Sequence, residues 1–440
     1  MKLKRVLALL TAAVMVTLLF SGCSRDGDKT SGSGKKQLNI AVFEGGYGKT
    51  VWEELKKAFE EKNKDVTVNI TSNPKLGDVV RPQLMSGNKV PDFIYLAATN
   101  DSGILQSLIK EKGLTDLSDV YTDELKEKML PGVMDGPTVK PYSDGKVYSM
   151  PLFYSGLGLW YNKKLFADNN WEVPKTWDEF FQLGDKAKSK GIALFTYPGA
   201  NAPSYNESVI LPSITSAGGP EALDKCFRYA EGAWKSDAVK KVFDIYGKIA
   251  SGGYLLDGTV ALNHTQSQTQ FINNKALFIP NGSWLENEMK DTPRAEGFEF
   301  GFAELPTFGD EKYVWVGIEE MYIPKKAANP DLAKKFMSFL YEDDTVKLIA
   351  KHAKGIPPVK GAVEIIKPEV SQAVYESYKA PESGYTAVTG DFAVTSQSEV
   401  NIKDVLYNNI NSLMNGKTTV AKWMEDMQKA ADTLRPLIIQ

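Results

Sequence analysis

The sequence predicts an α/β protein of two lobes, and three observations carry that reading. Apolar patterns of period two and period 3.6 alternate along the first hundred residues. The segment Pro91-Asp92-Phe93-Ile94-Tyr95-Leu96 is apolar on both faces, as a buried parallel strand is. The roughly 400 residues that follow the N-terminal region exceed what one hydrophobic core usually serves.

In chain order, Lys2, Lys4 and Arg5 precede an uncharged run from Val6 to Phe20, the layout of a secretory signal. That run is shorter than the roughly 20 apolar residues a transmembrane helix needs. It ends at Phe20-Ser21-Gly22-Cys23, which resembles a bacterial lipobox. Residues 1–22 therefore read as a signal peptide. Cys23 is expected to carry lipid and to hold the chain at the outer face of the cytoplasmic membrane. Residues 24–36 are Gly/Ser-rich and charged, with no bulky apolar side chain, and read as a flexible tether.

Past the tether, Leu38, Ile40 and Val42 alternate as a strand. Val51, Leu55, Ala58 and Phe59 then share a helix face, and Val66, Val68 and Ile70 alternate again. Thr176 and Glu179 stand at capping-box spacing before Phe180 and Phe181 and predict a helix start. Ile192 to Phe195 and Ala276 to Ile279 read as strands, and Tyr313 to Ile323 as an alternating one. Helices are expected from Pro330, with Leu332, Phe336 and Phe339 on one face, and from Val420, with Trp423, Met424 and Met427.

Composition narrows the function. The chain holds 52 basic and 55 acidic residues, a formal net charge of −3, which loss of the three basic residues of the signal brings to about −6. No basic stretch tracks phosphates, so nucleic acid is not an expected partner. Of its two cysteines, only Cys226 remains beside Cys23, which leaves no disulfide framework. Two distant histidines, His264 and His352, and no metal-ligand spacing argue against a metal. Gly45-Gly46-Tyr47-Gly48 lacks the ending of a phosphate loop, and no cofactor is expected.

Several segments, in order, resemble the carbohydrate-binding proteins of ABC importers, the group that includes maltose-binding protein. They are Trp52-Glu53-Glu54-Leu55, Pro91-Asp92-Phe93-Ile94, Leu157 to Phe166, Pro174 to Phe180, Asn281-Gly282-Ser283-Trp284, Leu305-Pro306, Ala333-Lys334-Lys335-Phe336 and Gly355-Ile356-Pro357. Gly46-Tyr47-Gly48-Lys49 and Ile279 to Glu288 look most like the branch that binds N-acetylglucosamine and chitobiose. The resemblance implies lobes that are each a mostly parallel sheet flanked by helices, with a cleft between them. It places residues 37–151 and 307–358 in the N-terminal lobe, and 152–306 and 359–440 in the C-terminal lobe. It also implies a monomer that captures a neutral mono- or oligosaccharide and delivers it to the transmembrane subunits of a permease.

A neutral sugar asks for aromatic faces and planar polar groups, and the chain has 8 Trp, 19 Tyr and 20 Phe. Trp284 follows a strand and a Pro-Asn-Gly-Ser turn, and the resemblance makes it a stacking residue. Glu44 and Tyr47 follow the first strand, Lys75 the second, and Asn100 and Asp101 the third, where ligands of open α/β sheets bind. Tyr205 and Asn206 follow the strand at Leu194. Tyr154 and Ser155, after the first crossover, and the loop residue Tyr385 are candidates through the resemblance. Trp315 reads equally as core or ligand contact. Of Glu319 and Glu320, strand alternation allows one to face the cleft, and Glu319 is the choice. Trp52, Trp160, Trp177 and Trp423 read as packing, and Cys226 as a small buried hydrophobe. Acids with aromatics also suit a glycoside hydrolase, but no motif sets two carboxylates at catalytic spacing, so no catalysis is expected. A sugar sensor or adhesion lipoprotein would use the same cleft.

Overall fold

The computed structural model of the protein describes residues 35–96, 103–303, 305–382, 386–396 and 398–439. Cys23, Asn100, Asp101 and Tyr385 lie outside the described residues. Two units separate, Met1–Lys36 and Gln37–Gln440, and apart from Lys36, the first residue of β1, the second contains the elements that follow.

Its strands are β1 (Lys36–Phe43), β2 (Val66–Asn73), β3 (Phe93–Tyr95), β4 (Met150–Asn162), β5 (Ala193–Phe195), β6 (Ala276–Asn281), β7 (Phe300–Ala303), β8 (Tyr313–Tyr322) and β9 (Thr386–Val388). Among the described residues the sheet runs β2-β1-β3-β8-β4-β6-β5, with β7 on β4 and β9 on β8. The parallel expectation holds for β1 with β3 and for β5 with β6. It fails for the two long strands. β4 and β8 run antiparallel to each other, β8 antiparallel to β3, and β4 antiparallel to β6 and β7. β4 spans 13 residues and pairs with β8 through Leu157, then with β6 and β7 beyond it. Several helices and the strands β5 to β7 separate β4 from β8 in the chain, so their antiparallel pairing is set by how distant segments pack rather than by a local turn.

Burial explains the elements. In β1, Leu38, Ile40 and Val42 enter one apolar cluster while Ala41 enters another, and Phe93 and Tyr95 part from Ile94 in the same way. Both faces of these strands are therefore covered by apolar side chains. The Thr50–Lys62 helix packs Val51, Trp52, Leu55 and Phe59 on the first cluster, where Phe59 meets Phe336 edge-on at 5.1 Å. The second large cluster gathers Phe180, Phe195, Trp234, Phe243 and Trp423. Phe243 and Trp423 stack there at 3.5 Å. Alternate residues of β8 divide between the two: Val314 and Val316 face the first, Tyr313 and Trp315 the second.

Local signals place the ends of elements. Thr176 and Glu179 close a capping box on the Trp177–Lys188 helix. Pro330 opens the Pro330–Phe339 helix, and Val420 the Val420–Leu434 helix. Trp52, Trp160 and Trp423 are fully buried and Trp177 nearly so, as packing requires. Cys226 is buried, and burial pushes its thiol up to about 12. No helix among the described residues is long and apolar enough to cross a membrane.

Candidate functional site

A cavity of about 480 Å³ opens where the loops after β1 and β6 meet the central part of β8. Six of the residues singled out in the sequence border it: Tyr47, Ser155, Tyr205, Trp284, Trp315 and Glu319.

One wall is aromatic. The indole Nε1 of Trp284 donates to Tyr205 Oη at 3.1 Å, and the two rings meet edge-on with centroids 6.1 Å apart. His264 stacks on the other face of this group, 5.3 Å from the Tyr205 centroid at 26°. Glu288 Oε2 accepts from His264 Nε2 at 2.7 Å and from Gln268 Nε2 at 2.8 Å. Trp284 is thus held by a chain of side chains, Tyr205, His264 and Glu288, while its indole also lies against Gly282 of its own turn.

The loops after β1 and β6 touch. Asn287 Nδ2 donates to the Gly46 carbonyl at 2.9 Å, and a side chain on Gly46 would strike Trp284. That contact requires glycine, because the β1 loop passes directly against the aromatic wall. Tyr47 stacks on Phe153 at 4.1 Å. Ser283 Oγ donates to Tyr378 Oη at 2.8 Å, and the Ser283 amide to Ser155 Oγ at 3.2 Å. Burial pushes the Tyr47, Tyr205 and Tyr378 hydroxyls well above the usual phenol range, so all three remain protonated donors.

The opposite rim is acidic. Tyr95 Oη donates to Glu319, and burial pushes this carboxyl up to about 7 despite that bond. Near neutral pH Glu319 therefore donates as well as accepts. Glu320 accepts from Thr138 Oγ1 at 2.8 Å and from Ser149 Oγ at 3.1 Å. Both acids border the cavity, so the expectation that alternation admits only one of them is corrected. From Gly317 to Glu320 every residue of β8 is partly exposed, because the cavity reaches both faces of the strand there. The partner strand shifts register between Pro151 and Phe153 at the same level.

Four candidates stand elsewhere. Tyr154 points to the face of β4 opposite Ser155 and packs edge-on against Tyr378 at 5.8 Å. Asn206 is fully buried and accepts from Tyr246 Oη. Glu44 accepts from Ser72 Oγ at 3.0 Å, and Lys75 is exposed at the start of the Leu76–Ser86 helix. Conversely, Glu207, Asp391 and Lys403 join the lining without having been singled out. Lys403 Nζ lies 2.8 Å from Asp391 Oδ1. Burial works against the charge of Lys403, but Asp391 and Glu207 outweigh it and hold the ammonium above the usual lysine range. Glu207 follows directly on Tyr205 and Asn206, a proximity that could have flagged it. No local pattern ties it to Asp391 and Lys403, nearly 200 residues away. Among the described residues, no three His, Cys, Asp or Glu stand together as a metal-ligand set.

Aromatic faces beside paired donors and acceptors suit a polyhydroxylated ligand. Comparison with known proteins agrees with this fold. The chain is 28% identical over 335 residues to a diacetylchitobiose binding protein of Streptomyces coelicolor, covering 74% of this chain and 70% of that one. It is 27% identical over 406 residues to a maltooligosaccharide ABC transporter solute-binding lipoprotein of Streptococcus pneumoniae, covering 84% and 85%. A solved chitin oligosaccharide binding protein superposes with a TM-score of 0.72 at 20% identity, over 91% of this chain and 99% of the other. Such neighbours share the two-lobed periplasmic-binding-protein architecture. Residues 45–347 match the bacterial extracellular solute-binding proteins, and the chain belongs to that family.

Proposed function

We propose that this protein is the substrate-binding component of an ABC sugar importer. It captures a neutral saccharide, either N-acetylglucosamine or chitobiose or a β-linked gluco-disaccharide, and hands it to a membrane permease. The observation that carries the reading is the wall of Trp284, Tyr205 and His264 facing the Glu319 and Glu320 rim across one cavity. The first relative named above, a diacetylchitobiose binding protein, supports the choice of sugar.

In this mechanism the aromatic wall stacks on the C–H face of a sugar ring, while Glu319, Glu320 and Ser155 take its hydroxyls. Charge-assisted hydrogen bonds to the carboxylates supply much of the selectivity. Lobes of residues 37–151 with 307–358 and of 152–306 with 359–440 close on the sugar, and the ligand stabilises the closed form by contacting both. Closure brings the β1 and β6 loops together, and the Asn287–Gly46 hydrogen bond supports that part of the reading. The proposal assigns no bond-breaking step to the cavity. The chain acts as a monomer, and lipid on Cys23 with the tether of residues 24–36 keeps it near the permease at high effective concentration.

Calorimetric titration of the full chain with N-acetylglucosamine, diacetylchitobiose, cellobiose, laminaribiose and maltose tests the reading, with product analysis of each mixture. At least one saccharide should bind and none should be cleaved. If none binds, or if a bound one is hydrolysed, the reading fails.

A further inference from the structure

The cavity is long as well as aromatic. Six consecutive residues of β8, Trp315 to Glu320, border it, and at about 3.3 Å per residue they extend roughly 16 Å. Its two ends differ in chemistry. At the Glu319 end, the charge of that carboxyl reaches both Tyr47 and Tyr205, and Tyr205 in turn holds Trp284. At the Trp315 end, β9 pairs Val388 with Trp315, and the residues that follow, Thr389 to Phe392, form the wall. Asp391 and Lys403 meet there with 29% and 31% of their side chains exposed. Glu207 acts on the same ammonium and accepts from Tyr407.

Two features make this end more than a structural ion pair. A pair drawn out of water returns little stability by itself, because desolvation offsets the attraction. Left partly open to a cavity, it presents an acceptor beside a donor, the combination that a sugar hydroxyl satisfies by giving one proton and receiving another. Asp391 and Glu207 also balance Lys403, so this end does not select for an anion.

We infer that the cavity is a two-ring site, in which Trp284 holds one sugar ring while Trp315 and the Asp391–Lys403 pair hold a second. The preferred ligand is therefore a disaccharide or longer chain rather than a monosaccharide. This rests on the proposed function and deepens it, and the pair acts as its length-selecting element.

The experiment is a calorimetric comparison of N-acetylglucosamine with diacetylchitobiose, and of glucose with cellobiose, on the full chain and on Lys403→Met and Asp391→Asn. The disaccharide of the accepted series should bind the parent at least tenfold more tightly than its monosaccharide. Each variant should reduce that ratio by tenfold or more. Lys403→Met leaves two carboxylates without their cation, so Asp391→Asn, which keeps the side-chain shape, is the second variant, with thermal midpoints recorded for both. Equal affinity of the parent for both sugar lengths overturns the inference. So does a variant that weakens both lengths by one common factor, or that changes neither. If no saccharide binds, the sugar-cleft reading falls and this one with it; if saccharides bind without length preference, only the two-ring site falls.

Discussion

Replacing Gly46 by Ala should wedge the β1 loop away from the β6 loop and weaken sugar binding. A Cβ at this position would stand 2.8 Å from Trp284 Cβ and 3.3 Å from Glu288 Oε1. Carbon atoms rest at about 3.5–4.0 Å, so the two loops must part by about 1 Å. Trp284 Cβ is bonded to the backbone, and no rotamer change moves it aside. The Gly46 backbone lies outside the left-handed region, so alanine adds steric demand without conformational strain. A shift of that size takes the 2.9 Å Asn287–Gly46 contact beyond hydrogen-bond range, a loss of about 1 kcal/mol. Overpacking at a tight contact adds about 1–3 kcal/mol. Where half of this total falls on the ligand-bound arrangement, affinity drops between about fivefold and about thirtyfold, at roughly 1.4 kcal/mol per tenfold. Calorimetric titration with the accepted disaccharide measures it, and the thermal midpoint of the unliganded protein reports the share borne by the fold itself. An affinity within twofold of the parent, with an unchanged midpoint, would refute the argument that these loops meet when sugar is held.

Other outcomes follow from the same geometry. Trp284→Ala should weaken saccharide binding tenfold or more, the scale of one lost aromatic anchor, and an unchanged titration would remove the residue from the site. Glu319 is raised by burial from 4.5 to about 7, so the folded chain holds this proton more tightly than the unfolded chain does. Its contribution to stability is full below 4.5 and is lost as pH rises to 7, by at most about 1.4 kcal/mol per unit. Glu319→Gln should therefore show a shallower fall in thermal midpoint across that window, and identical slopes would contradict the assignment. Thr176→Ala removes the capping hydrogen bond to the Glu179 amide and should cost about 1 kcal/mol in denaturant unfolding without changing sugar affinity. Cys23→Ser should release the protein from the membrane fraction into the medium, and a protein that stays with the membrane would argue against the lipid anchor.

Much of the fold was legible because its signals are local. The capping box at Thr176, the prolines that open helices, and the two-faced apolar run at Phe93 each involve neighbours along the chain, and each lies where the pattern puts it. Strand direction was less legible. That β4 and β8 run antiparallel depends on how distant segments pair, and alternation reads the same in either direction. The aromatic half of the cavity was partly readable, since Tyr205 and Trp284 sit in loops with little packing reason of their own. Its polar half was not: no local pattern joins His264 to Tyr205 or to Glu288, which the fold sets side by side.

The sequence by itself determined the α/β alternation, the core tryptophans and the resemblance to sugar-binding proteins, all properties of composition and short-range order. Only the tertiary structure decided which side chains share a cavity. Ser155 and not Tyr154 faces it, because one residue along a strand reverses the face. Both Glu319 and Glu320 reach it, because the cavity wraps a strand whose two faces are open there. Glu207, Asp391 and Lys403 meet because β9 lies beside Trp315 and brings a C-terminal helix against one from the middle of the chain. Contacts across such separations depend on register and packing summed over the whole fold, and no short pattern encodes them.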